Sequence, residues 1–219
     1  MLSQEYFRFF AELEQNNSKD WFDAHRHEYE THVREPFRAL VAGLIDRIRA
    51  TEPLLQMEPR DAMFRINRDI RFSKDKSPYK TAMGAHISRF GRKAIGMPGF
   101  YIEVNARGGA VAGGSYQPDR QQLDCLRDLL MHDGNAVRAA LSDPAFNKLF
   151  GSIRGEVAKS VPKEFSAAAQ SEPLIYHKQF YWWADVPRSV FTSKSCIDGL
   201  MKYYSAQQPL QVLLEGVLE

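Results

Sequence analysis

The sequence predicts an α+β protein, with a largely antiparallel central sheet and N-terminal and C-terminal helices packed around it. Three observations carry that expectation. Apolar residues recur at helical spacing through residues 1–52, at a period of two from about Met63 to Tyr116, and at helical spacing again afterwards. The connections between the candidate strands are too short for helical crossovers, which leaves antiparallel pairing. Helices that flank a central run of strands, rather than alternate with them, give the α+β arrangement.

In chain order, Leu2, Tyr6, Phe9, Phe10 and Leu13 mark a first helix that Asn16 and Asn17 end. Ser18 is the expected N-cap of the next, with Asp20 in its first turn. Pro36 either kinks that helix or starts a new one, whose stripe is Phe37, Leu40, Val41, Leu44, Ile45 and Ile48. Four strands are expected at Met63 to Arg68, Thr81 to Ser88, Phe100 to Asn105 and Ala110 to Tyr116. In the third, Phe100, Ile102 and Val104 alternate with Tyr101, Glu103 and Asn105, as in a half-exposed strand. Helices return at Asp119 to Met131, Asn135 to Leu141 and Pro144 to Phe150, and 159–173 reads as irregular. Gln179 to Val186 reads as a strand covered on both faces. Ser193 is expected to cap a helix, and Pro209 to open a last short one. The whole chain, 1–219, is expected as a single domain: helical over 1–52, strands over 62–118, helices with one further strand over 119–219.

Composition narrows the class. Cys125 and Cys196 form no CxxC pair and sit near no histidine cluster, so free thiols in a reducing, cytoplasmic setting are expected. No run approaches the length of a membrane helix, and no cofactor or metal motif is present. The net charge of +2 hides an asymmetry: Arg60 to Lys93 holds ten Lys/Arg against three Asp, a local charge of +7. Such clustering points to an anionic partner.

The centre of that window is Arg65 to Lys80, RINRDIRFSKDKSPYK. If it is extended, Phe64, Ile66, Arg68 and Ile70 share one face, and Arg65, Asn67, Asp69 and Arg71 the other. Ser73, Asp75, Ser77 and Pro78 are turn residues, and Lys74, Lys76, Tyr79 and Lys80 add three cations and a phenol. Guanidiniums grip carboxylates or phosphates in a bidentate fork, so this is the candidate ligand site. Its candidate residues are Arg65, Asn67, Arg68, Asp69, Arg71, Ser73, Lys76, Tyr79 and Lys80, with His86 as a near-neutral base on the following strand. The competing reading pairs Asp69 and Asp75 with the arginines in a purely architectural network.

Several motifs carry a resemblance. Phe10, Leu13, Asn16, Asn17, Trp21 and Phe22 echo an F-x-x-L-x-x-N-N-x-x-x-W-F opening, and Arg68 to Lys80 holds an R-D-x-R-F-S-x-D-K-S-P-Y-K run whole. Gly99 and Tyr101 echo a G-x-Y run whose usual proline is absent. Gly113, Gly114, Tyr116 and Pro118 form G-G-x-Y-x-P, and Pro209-Leu210 precedes the last helix. On these residues the chain resembles the domain-of-unknown-function 2461 family. The resemblance implies a single α+β domain and brings no reaction, ligand or catalytic residue.

Other patterns are set aside. Ser73 to Lys76 fits S-x-x-K, but Pro78 stands where the helix of a serine β-lactamase would continue. His25 and His32 would lie two helical turns, about 10 Å, apart. Gly108-Gly109 and Gly113-Gly114 make no phosphate loop, and Glu103 and Asp185 are carboxylates on strands that await placement. The expected partner is therefore a phosphate-bearing or otherwise anionic small molecule. A nucleic acid is the less favoured alternative, because the remainder of the chain carries a charge of −5. No membrane partner is expected.

Overall fold

The helical spacing at the N-terminus places Tyr6, Phe9, Phe10 and Leu13 on the buried stripe of α1 (Gln4–Gln15). All 219 residues are described in the computed structural model. Ser18 caps α2 (Lys19–Ala24), its Oγ accepting the Trp21 N–H at 3.3 Å. A short α3 (Arg26–Glu28) passes through a π-helical turn, Tyr29–Arg34, into α4 (Glu35–Arg49). Pro36 sits in the first turn of α4 directly after the π-helical turn, so it neither ends the helix nor starts a separate one. The six apolar residues of the α4 stripe are all buried.

After α5 (Pro59–Ala62) come β1 (Ala82–Ile87), β2 (Phe100–Asn105) and β3 (Gly108–Ser115). Next are α6 (Arg120–Leu141), α7 (Pro144–Phe150), β4 (Phe180–Pro187), α8 (Arg188–Thr192) and α9 (Cys196–Leu218). The strands form a four-stranded antiparallel sheet in the order β1-β2-β3-β4. The chain is therefore α+β with helices at both termini.

Three local expectations are corrected. Met63 to Arg68 is not a strand; it makes only isolated antiparallel bridges, Met63 to Ala85 and Asn67 to Tyr79. The cause is a slip in register. Phe64 N–H bonds to the Gly84 carbonyl, while Lys80 N–H bonds back to Ile66. Between those bonds lies Arg65 alone on one side, against Thr81, Ala82 and Met83 on the other. The surplus bulges, and a continuous ladder cannot form across it.

α6 keeps the two expected helices, divided by a kink at Asp133, whose backbone (φ −133, ψ 33) is not helical. Pro209 does not open a helix but lies inside α9. Burial of Ala206, Leu210 and Leu214 on either side holds the helix together despite the one bond that proline removes. β4 is covered on one face only, with Phe180, Trp182, Ala184 and Val186 buried and Tyr181 and Trp183 half-exposed.

The chain packs as two compact units. The first comprises residues 1–92, 101–111 and 185–201. Its core is aromatic: Phe9 packs on Phe10, Phe22 and Tyr29 with centroids 5.8–6.2 Å apart, and Tyr6 donates its hydroxyl to the Val104 carbonyl. The second comprises 93–100, 112–184 and 202–219. Trp182 is fully buried there against Phe146, and its indole N–H donates to Gln207 at 3.0 Å. Gln207, Gln211 and Glu215 continue that bond as a buried ladder along α9. Gly113 must be glycine, because a Cβ there would lie 2.6 Å from the Trp182 indole nitrogen.

Candidate functional site

The register slip beside β1 opens a cavity of about 490 Å³ within the first unit. Thr81 and Ala82, from the bulge, form part of its wall together with Gly84. The polar face of β2 supplies Tyr101, Glu103 and Asn105, and Arg107 follows from the turn after it. The end of α1 and the residues after it bring Glu14 and Asn17. Phe64, Arg68, Asp75, Ser77, Tyr79 and Lys80 complete the lining.

Asn17 fixes the register of the wall. Its side-chain amide donates to the Tyr79 carbonyl at 2.9 Å and its oxygen accepts the Tyr79 N–H at 3.1 Å, as a neighbouring strand would. The Tyr79 ring is buried and stacks on Phe22 with centroids 4.0 Å apart. Lys80 is thereby presented to the cavity by a residue anchored on both backbone and side chain.

Almost every charge in the wall has a partner. Arg68 binds Asp75, and Asp75 also accepts the Ser77 hydroxyl at 2.6 Å and the Ser77 N–H at 2.9 Å. Those Ser77 bonds, with Arg68 behind them, hold the Asp75 carboxyl well below the usual carboxylate range. Arg107 lies 3.6 Å from Glu14, and the Tyr101 hydroxyl donates to Glu103 at 2.7 Å. Lys80 differs. Its ammonium makes no hydrogen bond or ion pair and lies over the face of Phe64, 5.2 Å from the ring centroid. Partial burial, then the charges of Arg65 and Arg92, push its pKa down.

The expected site residues divide along the predicted faces. Arg65, Asn67, Asp69 and Arg71 are all exposed and none lines the cavity. Arg71 grips Asp69 in a bidentate fork at 2.7 and 3.0 Å, and Arg71 pulls the Asp69 carboxyl down to about 2. Ser73 lies 3.4 Å from Arg68, and Lys76 donates to the Ile70 carbonyl at 2.9 Å, both outside the cavity. Arg68, Tyr79 and Lys80 do line it. His86 shares the strand face of Ala82 and Gly84 but is buried beneath the next loop, with Nδ1 3.3 Å from the Arg92 carbonyl. Burial holds its pKa down. Both kinds of feature thus coexist in one segment: the Arg71–Asp69 pair lies on the exposed face, and the Arg68–Asp75 pair forms part of the cavity wall.

Of the β2 contribution, sequence reasoning singled out Glu103 alone and left Tyr101 and Asn105 unassigned. The signal was legible as the alternation that puts Tyr101, Glu103 and Asn105 on one face; what was missing was the neighbour across from that face. Glu14 and Asn17 carried no chemical signal beyond the Asn-Asn pair. Asp185, the other strand carboxylate, is exposed and does not line the cavity. No group of three His, Cys, Asp or Glu side chains is placed to hold a metal ion.

Residues 5–212 match a family described as a conserved hypothetical protein, DUF2461. No curated protein matches the chain. With the match covering nearly its whole length, the chain belongs to the domain-of-unknown-function 2461 family.

Proposed function

We propose that the cavity binds a small molecule bearing an anionic group, a phosphate or a carboxylate, and that Lys80 receives that group. The single observation that supports this reading is the unpartnered ammonium of Lys80 in a wall whose other cations are matched. A partly buried cation that lacks a counter-ion and is crowded by Arg65 and Arg92 is held there at a cost. An arriving anion relieves both terms. Glu103 keeps acceptor capacity beyond its bond from Tyr101, so the rest of the ligand is expected to carry hydroxyl or amine donors. Phe64 and Tyr101 offer ring surface to its apolar part.

The test is a thermal-shift series with inorganic phosphate, malonate and sugar phosphates. A ligand at about 100 times its Kd stabilises by about 2.7 kcal/mol, roughly 5–10 °C for a chain of this size. That shift is expected in the wild type and in Arg71→Ala, and is expected to vanish in Lys80→Met. Equal shifts in wild type and Lys80→Met would overturn the reading.

A second reading rests on Phe72. It is 95% exposed, with Arg71 over its ring and Lys74 and Lys76 exposed beside it. An exposed ring among cations suits base stacking on single-stranded nucleic acid. Binding of a mixed oligonucleotide that weakens with salt and is lost in Phe72→Ala would favour it; no binding at low salt removes it.

A further inference from the structure

We infer that Lys80 is a nucleophile that captures a small anionic carbonyl compound, an oxo acid or an aldehyde bearing a phosphate, as an imine. The inference rests on the reading of the cavity as a ligand site and names the class of compound that enters it. The geometry carries it in three respects. The amine projects into a cavity large enough for a small metabolite, and no carboxylate holds it as a permanent ammonium. Two cations act on it from outside the cavity lining: Arg92 lies over the same Phe64 ring, 5.6 Å from its centroid, and Arg65 adds its charge from the neighbouring segment. Desolvation beside other cations disfavours the ammonium form of a lysine, which is the direction a nucleophilic amine requires. Finally, an acid is at hand. The Tyr101 ring packs on Phe64 as well, and its hydroxyl is hydrogen-bonded to Glu103.

The step balances without an oxidant or reductant. The lone pair of neutral Nζ attacks the carbonyl carbon, and the carbonyl π electrons move to oxygen. A proton passes from nitrogen to that oxygen, giving a carbinolamine. The nitrogen lone pair then forms the C=N bond as the hydroxyl leaves. The leaving oxygen takes a proton from Tyr101, departs as water, and Tyr101 regains its proton from the iminium nitrogen through Glu103 or solvent. The net change is amine plus carbonyl to imine plus water. Arg65 and Arg92, acting from outside the cavity lining, disfavour the protonated amine before attack.

The full chain is incubated with glyoxylate and sodium cyanoborohydride, which delivers hydride to an imine carbon and fixes it as a secondary amine. Adducts are located by peptide mass mapping. The expected result is one dominant adduct, on Lys80, ahead of the more exposed Lys74 and Lys76. It is lost in Lys80→Arg, slowed in Tyr101→Phe, and diminished by excess inorganic phosphate. Adducts spread over the lysines according to exposure would overturn the inference. If Lys80→Arg keeps the anion-induced rise in Tm while the wild type forms no Lys80 adduct, the imine chemistry falls and anion binding stands. If the adduct forms although no anion shifts the Tm, the imine chemistry stands and the ion-pair reading falls. Absence of both removes both.

Discussion

Asn17→Ala is the perturbation that probes how the cavity is held open. Asn17 exchanges two hydrogen bonds with the Tyr79 backbone, at 2.9 and 3.1 Å, across 62 residues of sequence. Each such bond contributes about 1 kcal/mol net, and the Tyr79 amide and carbonyl it leaves are part-buried, which adds to the cost. A loss of about 2–3 kcal/mol is expected. At roughly 2–4 °C per kcal/mol for a chain of this size, the Tm should fall by about 4–12 °C. Asn16 is the internal control. Its side chain donates only to Glu12 on the exposed surface of the same helix end, and Asn16→Ala should cost less than about 0.5 kcal/mol. Urea unfolding followed by tryptophan fluorescence and by circular dichroism gives both values, with an unchanged m-value as the check that only stability moved. Because Tyr79 precedes Lys80, the phosphate-induced shift should also shrink in Asn17→Ala. Equal midpoints for the two alanine variants would refute the clasp and, with it, the explanation of why Lys80 faces the cavity.

Lys80→Met removes a partly buried, unpartnered charge, so its Tm is expected to equal or exceed that of the wild type while anion response is lost. A clear drop in Tm would show that Lys80 is architectural. His86 is buried with its pKa below the ordinary 6.5, so the folded state resists its protonation and stability is full above pH 6.5 and lost as pH falls below it. In denaturant titrations, His86→Gln should flatten the decline as pH falls below 6.5, to which His177 contributes in the same direction. An unchanged acid limb contradicts this. Gly113→Val should cost more than about 3 kcal/mol, since a Cβ there already meets Trp182 and Gln207 and the rest of the side chain has nowhere to go. Native-like melting of that variant would show that the indole can move aside. Arg71→Ala and Lys76→Ala, on exposed side chains, should leave the Tm and the phosphate response unchanged.

The fold was legible wherever a period was sustained. The stripes of α1 and α4 and the alternation of β2 were each visible because burial on one face imposes its repeat on the sequence. Pairing was not visible. Met63 to Arg68 alternates like a strand, and Phe64 and Ile66 do point inward, yet the bulge at Thr81 to Met83 denies it a ladder. That bulge is a matter of which residue faces which, and alternation within one segment carries no such information. Pro209 misled for a related reason: the helix around it is held by tertiary burial, which propensity does not contain.

The candidate site was half legible. The +7 window overlaps the segment that lines the cavity, and its split into two faces survives in the exposures. Charge alone favoured the face with Arg65, Asn67, Asp69 and Arg71, whereas the cavity takes Phe64 and Arg68 from the other. Concentrated cations on an exposed face pair with nearby carboxylates and with water, as Arg71 does with Asp69. Lys80 stands out only once Glu14, Asp75 and Glu103 are seen to be engaged by Arg107, Ser77 and Tyr101. Only the Glu14–Arg107 pair spans a long stretch of chain; the other two join residues two apart, and no local pattern announces that all three line one cavity with Lys80.

The most direct measurement is a crystal structure of the protein grown or soaked with malonate or phosphate. The expected result is an anion in the cavity, about 2.7–2.9 Å from Lys80 Nζ, with Arg68 still bound to Asp75. An anion found only on the exposed loop at Arg71, Lys74 and Lys76, with the cavity at Lys80 filled by water, would contradict the central claim.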